Sequence, residues 1–148
     1  MLITQKHKYA LRALFELALH AGSGPVKLGD IADAQAIPRR FLEVIMGQLR
    51  HRGLVESKRG FTGGYRLLKP AGQITVGEIF RVLDPPDDGG RCMICGNEDD
   101  CPLTGRCAFI TLWNRVQKAI EDVYHDTTIE DLVRGWELPT GGGDGKGK

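Results

Sequence analysis

Two short amphipathic segments, followed at once by a glycine-rich hairpin pattern, constrain the fold of this chain more than any other feature. The first segment covers Leu28–Ala34, and the second opens at Pro38 and ends at Gly53. Both carry apolar residues at helical spacing, and proline suits a first helical position because its missing N–H is not needed there. The tight link near Ala36–Ile37 leaves room only for a turn. The two segments therefore predict a helix-turn-helix.

Two β-prone stretches follow the second helix. Leu54–Lys58 and Tyr65–Leu68 flank the turn sequence Arg59–Gly64, which is basic and rich in glycine. This pattern predicts a β-hairpin with a flexible tip. A hairpin directly after a helix-turn-helix is a wing, and an amphipathic helix over Gln5–Ala21, with Thr4 as its N-cap, precedes the pair. Residues 1–69 therefore predict a winged helix-turn-helix DNA-binding domain.

The second half of the chain divides into four further segments. Residues 70–84 are expected to hold a connecting helix, with Thr75 as N-cap and Glu78 completing a capping box. Residues 85–107 form a loop that contains every cysteine. Residues 108–135 predict a long helix over 108–124 and a short terminal helix over 128–133, and residues 136–148 predict a disordered tail. The expected fold class is mainly α with a small β-hairpin wing.

The long helix carries an apolar stripe at intervals of three and four residues. The stripe consists of Phe109, Leu112, Val116, Ala119 and Val123, widened by Trp113 and Ile120. It covers about two heptads, which is marginal for an independent coiled coil. Two alternatives remain, namely a seam between two copies and a core helix within one copy. We expect a C-terminal dimerisation helix and a homodimer, because the winged domain is small and palindromic DNA favours two copies.

The two halves of the chain carry opposite charge. Residues 1–69 hold twelve Lys and Arg against five Asp and Glu, and residues 70–148 hold eight against fourteen. A basic half suits duplex DNA, because each phosphate contact releases condensed counterions. No apolar run approaches the length that spans a bilayer, and the start lacks the apolar core of a signal peptide. We therefore expect a cytoplasmic protein with no membrane partner.

A helix that enters the major groove needs polar side chains near its N-terminus, on the face away from the core. Arg39, Arg40 and Glu43 hold such positions, with Gln48 as a further candidate. Arginine matches the O6/N7 edge of guanine, and a carboxylate accepts from the cytosine amine. An ordinary ion pair with Arg39 or Arg40 is the alternative for Glu43.

Arg50, Arg52, Lys58 and Arg59 are expected to contact phosphates, and Arg59 at the wing tip is also placed to enter the minor groove. Lys6 and Lys8 lie at the start of the first helix, where the helix N-terminus also attracts anions. The expected DNA contacts are Lys6, Lys8, Arg39, Arg40, Phe41, Glu43, Arg50, Lys58, Arg59, Thr62, Gly63 and Tyr65.

The four cysteines of the chain, Cys92, Cys95, Cys101 and Cys107, all lie in one short loop. In a cytosolic chain, clustered cysteines indicate metal or redox chemistry and not structural disulfides. Thiolates are soft ligands that favour iron–sulfur clusters, zinc or copper(I). Only the first two cysteines have the spacing of a zinc CxxC pair, and the last two are too far apart for a zinc knuckle.

Four stretches of the sequence resemble one known family. They are the start M-L-I-T-Q-K-H-K-Y-A-L-R-A-L, the run F-L-E-V-I-M-G-Q-L-R-H-R-G-L-V, the wing R-G-F-T-G-G-Y-R-L and the helix T-V-G-E-I-F-R-V-L-D. Together with the cysteine loop, they resemble the IscR/NsrR-type family of bacterial winged-helix regulators over about residues 1–135. The resemblance implies a homodimeric repressor or activator that binds a double-stranded DNA operator. It also implies that three loop cysteines bind a 2Fe–2S or 4Fe–4S cluster whose state alters DNA binding.

The ligand positions that the resemblance implies are Cys101, Cys107 and either Cys92 or Cys95. The family's fourth ligand is a histidine or an acidic residue. The corresponding positions hold Ile110 and Lys8 here, so neither familiar fourth ligand is present. Our hypothesis is that all four thiolates bind one cluster, with the extra cysteine in place of the missing ligand.

The sequence contains no recognisable catalytic machinery. Its four histidines are scattered without a nucleophile partner, and no phosphate-binding glycine motif is present. The predicted function is a DNA-binding regulator, without a small-molecule substrate, controlled by an iron–sulfur cluster that senses iron status, oxygen or redox change, or nitric oxide. The alternatives are the same regulator with a zinc or thiol-redox switch, and an electron carrier whose basic half binds an acidic protein.

Overall fold

The computed structural model describes residues 3–84 and 101–137, together with the backbone of residues 91–92 and 96–97. Its helices are α1 (Gln5–Leu19), α2 (Leu28–Gln35), α3 (Arg39–His51), α4 (Val76–Leu83), α5 (Ile110–Asp126) and α6 (Ile129–Glu137). Its strands are β1 (Val55–Lys58), β2 (Gly64–Leu67), β3 (Arg91–Cys92) and β4 (Gly96–Asn97). The predicted fold class, mainly α with a small hairpin wing, is confirmed.

Helix α1 lies at the centre of the DNA-binding domain and packs against α2, α3 and α4. Thr4 is its N-cap, as predicted, and His7 completes a capping box by accepting from the Thr4 N–H. The buried residues of α1 include Ala10, Ala13, Leu14 and Leu17, whereas Leu19 is 40% exposed. The small alanines let neighbouring helices approach closely.

The wing is an antiparallel hairpin in which Val55 pairs with Leu67 and Lys58 pairs with Gly64. Its second strand is fixed to the segment before α2, because the backbones of Val26 and Tyr65 exchange two hydrogen bonds of 2.7 and 2.8 Å. The wing is therefore positioned relative to the helix-turn-helix by main-chain contacts.

Replacing a glycine by alanine is expected to change the stability in opposite directions at two positions, one in the wing and one in α3. Gly64 has φ +154°, and a Cβ there would overlap the Val26 carbonyl. Gly64→Ala should therefore lower the free energy of unfolding by about 2 kcal/mol. Gly47 lies within α3 with open space around its Cβ position, so Gly47→Ala should raise it by about 0.5–1 kcal/mol. Urea unfolding followed by circular dichroism measures both changes. An unchanged free energy of unfolding in Gly64→Ala would contradict the close approach of Gly64 to the Val26 carbonyl.

The C-terminal helices pack on the rest of the chain, α5 on α4 and α6 on α1. The rings of Phe80 and Tyr124 meet edge to face with centroids 4.9 Å apart. The Ile129 N–H donates to the Ile74 carbonyl at 2.9 Å, and Ile129 is fully buried. In α4, the Thr75 hydroxyl accepts from the Glu78 N–H as predicted. The Glu78 carboxylate accepts from Lys69 instead of completing the capping box.

Several predicted boundaries are wrong by a turn or less. Pro38 is the N-cap of α3 and not its first helical residue, because its ψ of 126° is extended. Helix α6 runs to residue 137 and overlaps the tail expected over 136–148, and its last turn places Trp136 against Phe15 of α1 with ring centroids 6.1 Å apart. Thr128 and Asp131 cap the start of α6 reciprocally. Residues 138–148 lie outside the described residues. The loop also contains the short ladder of β3 and β4, which the sequence pattern did not predict.

Helix α5 has no buried residue in a single copy of the chain. Its exposed apolar side chains include Leu112 at 48%, Val116 at 36% and Val123 at 61%. A single copy of the chain therefore leaves the apolar stripe of α5 largely exposed. This exposure disagrees with the alternative in which α5 is a core helix within one copy. Within the described part of the chain, no helix is both long and apolar enough to cross a membrane.

Candidate DNA interface and cysteine loop

Helix α3 divides into a buried face and an exposed polar face. The buried residues are Leu42, Ile45, Met46 and Leu49, as predicted. Arg39, Arg40 and Glu43 are all exposed. Arg39 pairs with Asp33 at 3.4 Å, and within the described residues Glu43 makes no ion pair. The alternative in which Glu43 pairs along its own helix is not formed here, which leaves its carboxylate in solvent.

Two other α3 residues have different environments. Phe41, which is among the expected DNA contacts, is 64% exposed and has its ring centroid 6.4 Å from that of Tyr9. Gln48, the further candidate for base contact, lines a cavity of about 430 Å³ with Val82 and Leu83 of α4. Its Oε1 atom is buried without a hydrogen-bond partner in the described part of the chain. Helical rotation turns this position toward α4, and a base contact by Gln48 stays a prediction.

The wing tip presents several of the expected contacts to solvent. Lys58, Arg59 and Thr62 are exposed. Gly63 is buried in the turn, where its N–H donates to the Gly60 carbonyl at 3.0 Å. Tyr65 is half-buried through its pairing with Val26. The last two residues therefore shape the tip, and whether they contact DNA stays a prediction.

The basic residues outside the tip fall into two groups. Lys8 is exposed on α1, and Arg50 is exposed with its guanidinium bonded to the Ser57 hydroxyl at 3.1 Å. Lys6 has a different environment, because its ammonium donates to the Leu83 carbonyl at 2.7 Å and to Asp84 at 3.2 Å. Lys6 thus joins α1 to the end of α4, and a phosphate contact would compete with these bonds.

The first turn of α2 brings the wing tip and α3 together. Lys27, the N-cap of α2, places its ammonium 5.2 Å from the centre of the Phe61 ring. Two residues later, a Cβ on Gly29 would lie 3.1 Å from the Arg39 guanidinium. The tip and the start of α3 therefore border the same short segment. Lys27 and Phe61 are not among the DNA contacts expected from the sequence, although Lys27 lies just before the first helix of the pair.

The described cysteines lie immediately before α5. Cys101 and Cys107 are both half-buried and free of disulfides. The Cys101 carbonyl accepts from the Thr104 hydroxyl at 2.9 Å, which fixes the turn between them. Cys92 lies on β3, where only its backbone is described, and Cys95 is outside the described residues. Among the side chains that are described, no group of three or more His, Cys, Asp or Glu is placed to hold a metal ion.

A buried histidine links α1 to the start of the cysteine loop. The His7 side chain is 2% exposed and stacks on Phe80 with centroids 4.2 Å apart. Nδ1 accepts from the Thr4 N–H, so the neutral ring carries its proton on Nε2. That atom lies 2.9 Å from the Asp84 carboxylate, although it is not aligned for a hydrogen bond. Burial lowers the pKa of His7 below its ordinary value of 6.5, and the opposing effect of Asp84 is smaller.

This pKa shift predicts a pH dependence of stability. Because the folded-state pKa of His7 is lowered, the unfolded chain binds more protons as the pH falls. The free energy of unfolding should therefore be highest above pH 6.5. Below that pH it should decline, by at most about 1.4 kcal/mol per pH unit, until the folded-state pKa is passed. Urea unfolding measures this slope between about pH 5 and 7.5, a pH range that brackets the ordinary histidine pKa.

The matched variants are His7→Gln and His51→Gln. A glutamine at position 7 can still accept from the Thr4 N–H but cannot titrate, so this component of the slope should disappear. His51 is exposed on α3, and its replacement should leave the slope unchanged. Equal slopes in the wild type and the His7 variant would contradict a buried neutral His7.

The winged helix-turn-helix, with its exposed recognition face and basic wing, defines the class of DNA-binding transcriptional regulators. Residues 3–135 match the Rrf2 family, described as "Iron-dependent Transcriptional regulator", and the chain belongs to this family. Rrf2 is the family that contains the IscR, NsrR and CymR regulators, so the resemblance identified from sequence motifs is confirmed.

Similar proteins carry the same assignment. The chain is 38% identical over 138 residues to the HTH-type transcriptional regulator IscR of Pectobacterium carotovorum subsp. carotovorum (strain PC1), which covers 93% of this chain and 82% of that protein. It is 36% identical, with the same coverage, to IscR of Yersinia pseudotuberculosis serotype O:1b (strain IP 31758).

Two solved structures share the fold over nearly the whole chain. The structure of CymR, titled the global cysteine regulator of B. subtilis, matches with a TM-score of 0.75 and 35% identity, covering 91% of this chain and 98% of that one. The structure titled T. potens IscR matches with a TM-score of 0.72 and 33% identity, covering 95% and 94%. The chain is thus similar to solved structures of both a CymR and an IscR regulator.

Proposed function

We propose that the protein is a homodimeric repressor or activator whose binding to a DNA operator is controlled by an iron–sulfur cluster held by Cys92, Cys95, Cys101 and Cys107. The observation that carries this proposal is the position of the described thiols. Cys101 and Cys107 lie directly before α5, the helix whose apolar side chains one copy leaves exposed. A change in the ligation or oxidation state of these thiols would therefore occur beside α5, the helix that would set the spacing of two DNA-binding domains.

The chemistry of the donor set fits a cluster. Thiolates are the usual ligands of iron–sulfur clusters. The N-terminus of α5 adds favourable electrostatics, because its N-cap Phe109 makes no side-chain hydrogen bond and its first turn contains no acidic residue. This uncompensated positive end begins three residues after Cys107, and it favours an anionic group nearby. When bound, a cluster would supply a centre that responds to iron supply, oxygen or nitric oxide.

The occupant that we propose for the exposed face of α5 is a second copy of the chain. A stripe of large apolar side chains on a charged chain indicates an interaction surface. Antiparallel or crossed packing of two α5 helices buries the same residues on both copies, as a twofold interface requires. Two linked recognition helices then bind two half-sites of one operator.

The chain's own contacts connect the loop to the DNA-binding domain. Asp84, the last described residue before the loop, accepts from Lys6 and lies against His7, both in α1. Phe80 stacks on His7 and also meets Tyr124 of α5. A rearrangement of the loop that displaces Asp84 would thus act on α1, α4 and α5 together. Such coupling changes operator affinity only if the two arrangements of the protein differ in their affinity for DNA.

A thiol switch without a cluster is the second candidate, and the likeness to the CymR structures favours it. One of these matches, with a TM-score of 0.69 and 33% identity, is titled the oxidized form of Staphylococcus aureus CymR. Cys101 and Cys107 are half-buried and not fully enclosed, so an oxidant can reach them. A coloured, iron-containing protein separates the cluster from this alternative, because bare thiols and zinc sites are colourless.

The DNA-binding part of the proposal is tested by replacing both Arg39 and Arg40 with alanine. Each bidentate arginine–guanine contact is worth roughly 1–3 kcal/mol, so specific affinity should fall by at least about tenfold. Glu43→Ala should instead relax the preference for cytosine at one operator position. Fluorescence anisotropy measures the affinities, with duplexes selected by the wild-type protein from a random library.

The matched control is Arg134→Ala, which removes an exposed arginine of α6 that pairs with Glu130. It should leave specific binding unchanged. Unaltered affinity and specificity in the Arg39 and Arg40 variant would show that α3 does not read the operator.

A further inference from the structure

The wing tip carries an apolar side chain that its own fold leaves almost entirely bare. Phe61 is 93% exposed, the highest value among the large apolar side chains that the structure describes. Burial of a phenylalanine ring is favourable, and the tip forgoes this gain. Such an arrangement is expected where the ring is buried by a partner.

The turn holds this ring outward. Gly60 has φ +108°, and the Gly63 N–H closes the turn by donating to the Gly60 carbonyl. A Cβ on Gly63 would overlap the Lys58 carbonyl, so the chain reverses as tightly as glycine allows. The result is a narrow tip with one aromatic ring at its apex.

The surroundings of the ring identify the kind of partner. The Lys27 ammonium lies 5.2 Å from the ring centre, and the exposed Lys58 and Arg59 precede it on the wing. An apolar partner surface would leave these cations desolvated, whereas a polyanion would pair with them. The same segment that carries Lys27 borders Arg39 through Gly29. The ring and Arg39 therefore border the same short segment at the start of α2.

We propose that Phe61 is a wedge that enters the minor groove of the operator, partly unstacks one base step and bends the duplex. Apolar side chains inserted between base steps kink DNA by roughly 20–90°. Pyrimidine–purine steps unstack most easily, so the wedge selects a flexible step at a position where no base edge is read. Lys27 and Arg59 would neutralise the phosphates on either side of the opened step. This inference rests on the proposed operator binding and adds a specificity-determining residue to it.

The experiment uses the full-length protein and a duplex selected from a random library. 2-Aminopurine, which brightens when it unstacks, is placed in turn at each step beneath the wings, and dyes at the two ends report the bend. Wild-type protein should brighten one position in each half-site and shorten the end-to-end distance. Phe61→Ala should abolish both signals and weaken binding by about tenfold, the scale of roughly 1–3 kcal/mol for base stacking on an aromatic ring. The bases that the Phe61→Ala variant protects in the major groove should be the same as for the wild type.

Two further variants keep the test decisive. Phe61→Leu retains an apolar wedge and should restore most of the bend. Trp136→Ala removes another exposed aromatic ring, 73% accessible on α6, and should leave the bend unchanged. A wild-type complex that is sequence-specific but unbent, or a Phe61→Ala complex as bent as the wild type, would overturn the wedge alone. Failure of the wild-type protein to bind any selected duplex would overturn the wedge and the proposed function together.

Discussion

Replacing Leu112 and Val116 together with glutamate is expected to convert the protein to monomers and to weaken operator binding by at least about 100-fold. The physical reason is that both side chains lie in the exposed apolar stripe of α5, so two buried carboxylates per copy would face each other across the seam. A monomer also loses the effective concentration that links two half-site contacts, which is commonly worth about 10²–10⁴ in affinity. Sedimentation velocity measures the mass, and anisotropy measures the affinity.

The matched control changes the charge by the same amount on the polar face of α5. Asn114→Glu together with Lys118→Gln also makes the net charge of each copy more negative by two. Among the ion pairs that the structure describes, this double variant removes only the exposed Lys118–Asp122 pair. This variant should remain dimeric, because the exposed ion pair that it removes contributes little to stability. If the Leu112 and Val116 variant also stayed dimeric at micromolar concentration, α5 would not be the seam.

Replacing Cys101 or Cys107 with serine is expected to reduce the iron and sulfide content to near zero. A hydroxyl is a poor replacement for a soft thiolate ligand, and each of these cysteines is a required ligand under our proposal. Neither belongs to the hydrophobic core, so circular dichroism and the melting temperature of the cluster-free protein should be unchanged. Visible absorbance with iron and acid-labile sulfide analysis after anaerobic reconstitution gives the readout.

The same series decides the role of the first two cysteines. Under the hypothesis of four thiolate ligands, Cys92→Ala and Cys95→Ala should each yield a cluster that is incomplete or less stable in air. If both variants kept a full cluster with wild-type stability, one of these two thiols would not be a ligand, and the hypothesis of four thiolate ligands would fail.

Much of the fold was predictable because its signals are local. The Thr4 and Thr75 N-caps, the buried face of α3 and the glycine-rich turn each depend on residues within one or two turns of chain. Such signals are present in the sequence itself, since helical spacing and turn chemistry act over short distances. The winged domain therefore followed from the order of its elements.

The features that the sequence did not predict depend on contacts between distant segments. The approach of Lys27 to Phe61 arises because the strand β2 pairs with the segment before α2. Lys6 donates to Leu83 and to Asp84, which lie 77 and 78 positions further along the chain. Periodicity gives the face of a helix but not the element that covers it. For the same reason, the stripe of α5 could not distinguish a core helix from a seam until the fold left it exposed.

The most direct test of cluster control compares operator binding by one preparation before and after its cluster is removed. The protein is purified anaerobically, its visible spectrum, iron and sulfide are measured, and its affinity for a selected duplex is determined by anisotropy. The sample is then stripped with a chelator under the same conditions and titrated again. We expect a brown protein with inorganic sulfide and at least about a tenfold difference in affinity, a coupling of about 1.4 kcal/mol. A colourless, iron-free protein after anaerobic reconstitution, or equal affinities of the loaded and stripped forms, would contradict control by an iron–sulfur cluster.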